Sequence, residues 1–265
     1  MKKSGMHSRT AALCFGLIAG IALTMAQGGA VYAKTANSTK KAAAKTVYLE
    51  TKATNYGSDG KIYGYDNLQY DAAGNNISLT STDEKGNISS ITLTTYDVAG
   101  RKTAQSYSYY EDGAISETDQ YTFQYDAAGR LSVEFFMKGS HEGYHEFQYD
   151  AAGNMIHDYY HIPEGDLLQH DSRNFDYDTR GNAIRQYWFD EDGKTVLDMQ
   201  TLVCKNTYNK AGRRTREKWY DFTGFVVSDT GYAYDKAGNC IKETHYNSDG
   251  EVIEYIVYQY AAFRK

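Results

Sequence analysis

The sequence predicts an all-β fold: an antiparallel array of β-hairpin repeats, about 16 strands in all, bent into a strongly curved meander or wound sheet. Three observations predict it. A six-residue motif, Tyr-Asp-x-x-Gly-Asn/Arg, recurs seven times at spacings of 24 to 31 residues. The residues before each motif alternate in polarity with a period of two, the mark of a half-buried strand. No amphipathic helix pattern follows residue 45, and Pro163 is the only proline, which suits long uninterrupted ladders.

The chain opens with Lys2, Lys3 and Arg9 before the apolar run Ala11–Ala26, and Val31-Tyr32-Ala33 offers a cleavage site. Residues 1–33 therefore read as a secretory signal peptide; the run is shorter than the ~20 residues a spanning helix needs. Residues 34–45 are small, polar and basic, a flexible linker. Residues 46–265 form the repeat domain, about eight units, with Tyr260 in a degenerate last copy that reads as a cap. Without the leader's three cations, 25 Lys+Arg face 34 Asp+Glu, a net −9. That balance argues against nucleic acid and against anionic membrane or wall polymers as default partners. Cys204 and Cys240 remain after cleavage. In a simple meander they lie three strands apart, about 14 Å, beyond disulfide reach, so a bond between them would need a strongly curled or wound sheet.

The motif copies begin at Tyr70-Asp71-x-x-Gly74, Tyr96-Asp97-x-x-Gly100, Tyr125-Asp126-x-x-Gly129 and Tyr149-Asp150-x-x-Gly153. Tyr177-Asp178-x-x-Gly181, Tyr208-Asn209-x-x-Gly212 and Tyr234-Asp235-x-x-Gly238 complete the set. Asp accepts from backbone N–H groups ahead of it and Gly supplies the positive φ that ends the turn. This predicts a four-residue hairpin loop on a type I turn. The tyrosine shares a face with Leu68, Phe123, Phe147, Phe175, Tyr232 and Tyr258, two residues upstream of their motif tyrosines. Its ring is expected inside, with the hydroxyl on a polar partner. These acids lack the dense alternation of a calcium loop.

A second glycine turn lies between motifs, usually preceded by aromatic residues. The candidate ligand-binding residues come from these stretches: Tyr109, Tyr110, Tyr159, Tyr160, Tyr187, Trp188, Trp219, Tyr220 and Tyr246. Adjacent strand residues point to opposite faces, so each pair sends one ring outward. Repeated in neighbouring units, such rings would form a stripe suited to sugar faces or partner proteins. Cross-strand aromatic pairs also simply stabilise sheets.

His141, His145, His157, His161 and His170 cluster in the sequence. His157 and His161 would share a strand face about 13 Å apart, too far for one ion, and a His145–His157 site depends on register. No metal or cofactor is expected. No nucleophile elbow, phosphate loop or His-Glu-x-x-His is present, and acids at repeated turn positions need no catalytic explanation, so no enzyme is expected.

These repeats closely resemble the YD-repeat, or Rhs-repeat, family. Tyr96–Arg101 and Tyr125–Arg130 match its Tyr-Asp-x-x-Gly-Arg hallmark fully, and the likeness spans residues 46–263. The resemblance implies a bacterial secreted or surface protein whose strands can spiral into a shell, in large members around a toxin. Such shells end in a self-cleaving segment rich in Asp-Pro; this chain contains no Asp-Pro and resembles the repeat array alone. The family is often described as carbohydrate-binding. The aromatic–acidic–Gly hairpins, such as Trp188–Lys194, are more weakly similar to glycan- and choline-binding repeats of Gram-positive surface proteins.

The expectation is a secreted, non-catalytic binding or adhesion module for an extracellular glycan or surface protein, with no nucleic acid and no membrane after signal cleavage. The alternative is a structural or encapsulating scaffold that binds a protein partner. A wet aromatic stripe would favour sugar; a closed interior or a flat apolar patch would favour protein.

Overall fold

The computed structural model describes residues 46–161, 171–189 and 196–264. The expected leader and linker, the glycine turns at Gly165 and Gly193, and His170 lie outside the described residues. Sixteen strands follow in order. They are β1 (Thr46–Gly57), β2 (Ile62–Tyr70), β3 (Asn76–Asp83), β4 (Ile88–Tyr96), β5 (Lys102–Glu111), β6 (Ala114–Tyr125), β7 (Leu131–Lys138) and β8 (His141–Tyr149). Then come β9 (Met155–His161), β10 (Asp171–Tyr177), β11 (Ala183–Trp188), β12 (Leu202–Tyr208), β13 (Arg214–Tyr220), β14 (Val226–Tyr234), β15 (Cys240–Tyr246) and β16 (Val252–Arg264). A single 3₁₀ turn, Asp198–Gln200, is the only helical element among the described residues.

Each strand pairs antiparallel with its sequence neighbours, and β1 pairs with β16, so the meander closes into a barrel. The seam is long: eleven residue pairs, from Thr46↔Arg264 to Gly57↔Glu254. The expected curved all-β sheet is therefore present, and its curvature is carried to closure. All Tyr-Asp turns join an even strand to the following odd strand and lie at one rim. The other described glycine turns lie at the opposite, distal rim.

The turns are tighter than the four-residue loop expected. Asp71 N–H donates to the Asn75 carbonyl and Gly74 N–H to the Asp71 carbonyl, both at 3.0 Å. Asp71 thus still pairs across the hairpin, leaving a three-residue loop closed by Gly74 at φ 85°. Two distal turns are shorter still. Asp112 and Gly113 both have positive φ, a type I′ pair, whereas at Gly139-Ser140 only Gly139 does, as in type II′.

A bulge follows every Tyr-Asp turn. Gln69 pairs with Ser78 but Tyr70 with Asn76, leaving Ile77 unpaired. Thr103, Ser132, Ile156, Ile184, Thr215 and Ile241 sit in the same position. Extra residues on one strand increase local twist and bend the sheet, which is how a hairpin array curls to closure.

The residues just before the motif tyrosines, Gln69, Thr95, Gln124, Thr207, Ala233 and Gln259, are exposed. Those two before, on the tyrosine face, are buried or half-buried, with Thr94 and Phe175 below 9% exposure. The tyrosine face is therefore the inner wall. That wall is not an oil-like core. The buried apolar residues are Ala53, Phe136, Phe175, Ala183 and Cys204, outnumbered by buried polar ones such as Thr92, Asp119, Asp158 and Gln186. Side-chain partners on the inner wall come from the same, adjacent or next-but-one strands: Asn55 with Asp66, Tyr232 with Glu217, Tyr258 with Glu243, Tyr63 with Glu254. Barrels of this strand number leave an aqueous interior. Cys204 on β12 and Cys240 on β15 are unbonded and three strands apart, as the meander count requires.

Candidate functional site

The Tyr-Asp rim is a self-contained hydrogen-bonded ring. Asp97 Oδ1 accepts from the N–H groups of Ala99 and Arg101, both at 2.9 Å. Its Oδ2 takes the Arg101 Nε at 2.7 Å. These donors, led by the Arg101 N–H, hold the Asp97 carboxyl below the usual range. Where Asn replaces Arg, its amide does the same: Asn75 to Asp71 and Asn239 to Asp235, each at 2.8 Å. Four motif tyrosines reach back to the first residue of the preceding strand, and Tyr70 reaches Glu50 within β1. Tyr96 donates to the Asn76 carbonyl at 2.7 Å, Tyr149 to Leu131 at 2.8 Å and Tyr234 to Arg214 at 2.6 Å. Tyr260, in the degenerate eighth copy, keeps this bond to Cys240 at 2.7 Å. Tyr208 instead donates to Asp178 Oδ2 at 2.6 Å. Burial raises the Asp178 carboxyl, but that bond and three more outweigh it and bring it to about 2. The hydrogen bonds of these acids and tyrosines are made within the ring.

The aromatic candidates divide cleanly between the two walls. Tyr109, Tyr160, Trp188 and Trp219 face the interior with their cross-strand partners Glu117, His145, Arg173 and Cys204. Tyr110, Tyr159, Tyr187, Tyr220 and Tyr246 face outward, toward the distal rim, and are half-buried. Tyr56 and Tyr255 join them as a stacked pair, centroids 4.7 Å apart. Both tryptophans are thus absent from the outer wall, where the belt is made of tyrosine.

One concavity on the outer wall was not among the sequence candidates. It is a shallow groove of about 410 Å³ across β6, β7 and β8. Two cross-strand rows line its outer face: Thr122, Phe135 and Tyr144, then Gln120, Met137 and Glu142. Phe135 and Met137 remain 39% and 43% exposed. The Phe135 and Tyr144 rings are 5.6 Å apart, and His161 stacks on Tyr144 at 4.3 Å. The result is an aromatic platform edged by an amide, a hydroxyl and a carboxylate. The Phe135-Phe136 pair was visible in sequence as the lead-in to Gly139; Tyr144 had no such signal. Gly143 lets Phe136 lie flat beneath the groove, since a Cβ there would stand 2.5 Å from its ring.

The histidines do not converge. His145 faces inward and bonds Asp158 at 2.7 Å, whereas His157 faces outward onto Asn174. No group of three or more metal-ligating side chains is present among the described residues. The inner wall carries a row of acids, including Glu50, Asp66, Glu134, Asp158, Glu217 and Glu243. Burial, with the nearby charges of Asp66 and Glu243, pushes Glu50 up to about 7. Burial also pushes the thiols of Cys204 and Cys240 up to about 12 and about 11, which makes them poor nucleophiles.

A family model described as "Protein of unknown function (DUF2963)" matches residues 229–261, within β14 to β16. No curated protein matches the sequence significantly. Among solved structures, the chain is similar to a porin-like protein from Bacteroides uniformis, at 11% identity and TM-score 0.39, over 80% of this chain and 98% of that one. It is also similar to the TcdB2-TccC3 assembly, at 15% identity and TM-score 0.34, over 76% of this chain. There it spans only 11% of the other chain's length.

Proposed function

We propose that this chain is an exported, non-catalytic carbohydrate-binding module whose outer wall holds the ligand. The observation that carries the reading is the β6–β8 groove. The exposed Phe135 ring and the half-buried Tyr144 ring, flanked by Gln120, Thr122 and Glu142, suit the apolar face and hydroxyl edge of a sugar. The basic, apolar leader supports export. The outer wall also bears Lys52, Arg185, Lys205 and Lys242, and a lipid-facing barrel would carry an apolar band there.

Binding to a glycan array tests the proposal, with Phe135→Ala and Tyr144→Ala as variants. Each is expected to weaken a saturable interaction by about tenfold or more. Trp188→Ala and Trp219→Ala, on the inner wall, should leave it intact. If only the tryptophan variants lose binding, the ligand sits inside the barrel and the groove assignment fails. One observation favours a second reading, an encapsulating scaffold for a protein partner: the closed barrel encloses its own interior. A folded protein that binds no glycan on the array would shift the assignment to that reading.

A further inference from the structure

The outer wall is electrically divided, and its basic half follows the repeat. The eighth residue after the motif tyrosine is Arg185, Arg216 and Lys242 in three successive units. Lys52 holds the same place on β1, one 26-residue period before Ser78. The remaining units carry Ser78, Ala104, Val133 and His157 there. Closure brings the four cations onto β11, β13, β15 and β1, consecutive odd strands around the barrel. No lysine or arginine of β3–β9 projects outward: Lys102 lies over the inner Phe123, and Lys138 pairs with Asp119 on the inner face.

Each cation of the row is fixed on a ring. Arg185 lies 4.5 Å from Tyr187, Arg216 4.1 Å from Tyr246, Lys242 3.8 Å from Tyr255 and Lys52 4.1 Å from Tyr65. Such stacking holds the charge in place before a ligand arrives, which lowers the ordering cost of binding. Lys205, over Tyr220 at 5.0 Å, and Lys218 extend the patch. Two carboxylates oppose it. Asp229, with no side-chain exposure, ties down Arg216 at 2.6 Å and Lys218 at 2.9 Å, and Asp176 lies 3.7 Å from Arg185. Six cations against two carboxylates leave a basic wall on an otherwise acidic protein.

We infer that the row Arg185–Arg216–Lys242–Lys52 binds an acidic polysaccharide running around the barrel, with one anionic group per disaccharide. This rests on the reading of the outer wall as a carbohydrate surface and names a ligand class for its other half. Alternate strands are about 10 Å apart, and the register staggers successive cations by two residues, or four between Arg185 and Arg216, so neighbours are roughly 12 to 17 Å apart, one to two disaccharides of a linear polymer. Nucleic acid fits less well. It carries its charges more densely than the row, and bases need free ring faces that the cations here already cover.

The test is titration of the purified protein with hyaluronate, which has one carboxylate per disaccharide, against neutral dextran and oligothymidylate. Hyaluronate is expected to bind saturably, more weakly as salt rises, and at least about tenfold more tightly than either control. The triple variant Arg185→Gln, Lys242→Gln, Lys52→Gln should lose that preference, while Lys242→Arg with Lys52→Arg keeps it. The triple variant spares Arg216, so Asp229 stays paired; unchanged circular dichroism reports its fold. The triple variant should keep the groove's glycan-array binding, which separates this row from the groove. No hyaluronate binding, equal binding by the triple variant, or tighter oligothymidylate binding would each overturn the inference.

Discussion

At the residue scale, the motif's last position accepts Arg or Asn because both donate to the same carboxylate oxygen. Arginine does one thing more. Arg101 lies 4.9 Å from the Tyr125 ring and Arg130 4.9 Å from Tyr149, so each cation caps the next tyrosine along the rim. In the sixth copy Asn209 replaces Asp; its amide oxygen still accepts from Ala211 and Arg213 N–H at 3.0 Å, and Arg213 turns to the Tyr234 ring. Glu50 gives this scale its prediction. Its carboxyl is raised by burial from 4.5 to about 7. A carboxyl raised on folding binds more protons in the native state, so stability falls as pH rises from about 4.5 to about 7. Depressed turn acids such as Asp178 act oppositely: their contribution is present above about 4 and is lost as pH falls toward 2. Denaturant midpoints across pH 4–8 should decline for the native protein. Glu50→Gln should flatten that decline, a difference of up to about 3 kcal/mol. An unchanged slope would show that Glu50 is not the titrating group.

At the element scale, the tyrosine latch does what hairpin pairing alone does not: it joins one Tyr-Asp turn to the next. Tyr234→Phe keeps the ring and removes the bond to the Arg214 carbonyl, so a loss of about 1 kcal/mol is expected in equilibrium unfolding. A variant as stable as the parent would mean that water replaces the hydroxyl. The bulges explain why the aromatic pairs could not be assigned to faces from their spacing. Arg214 faces inward, over Tyr232 at 5.2 Å. Counting by twos from it would put Tyr220 inside, but Thr215 is the extra residue of a bulge and shifts the phase by one. Trp219 therefore turns inward beside Cys204, and Tyr220 outward under Lys205. The motif tyrosines suffered no such ambiguity, since no bulge separates them from the residues that precede them within their strands.

At the scale of the whole molecule, closure removes both free sheet edges, which would otherwise invite pairing between chains. Deleting residues 46–57 would expose the edges of β2 and β16 together. Light scattering should then report oligomers or aggregates, where the intact protein stays at a constant mass over the same concentrations. A truncated chain that behaves as the parent does would mean that the β1–β16 seam is dispensable. Closure also sets the charge map, because it brings Lys52 from the start of the domain to within two residues' stagger of Lys242 near its end, across β16.

The sequence by itself determined where the chain turns, though not the loop length or the bulge that follows each Tyr-Asp turn. Asp, Gly and Tyr at fixed offsets specify a turn, its positive φ and the ring beside it, and all of these interactions lie within one hairpin or between neighbouring turns. It also exposed the repeat, and with it the all-β antiparallel order and the separation of Cys204 from Cys240. Only the tertiary structure decided the rest: the β1–β16 seam, the wall each aromatic faces, and the Phe135–Tyr144–His161 platform. The physical reason is that these depend on accumulated twist and on bulge phase. Both arise from backbone geometry summed over sixteen strands, and no residue pattern within a single repeat encodes that sum.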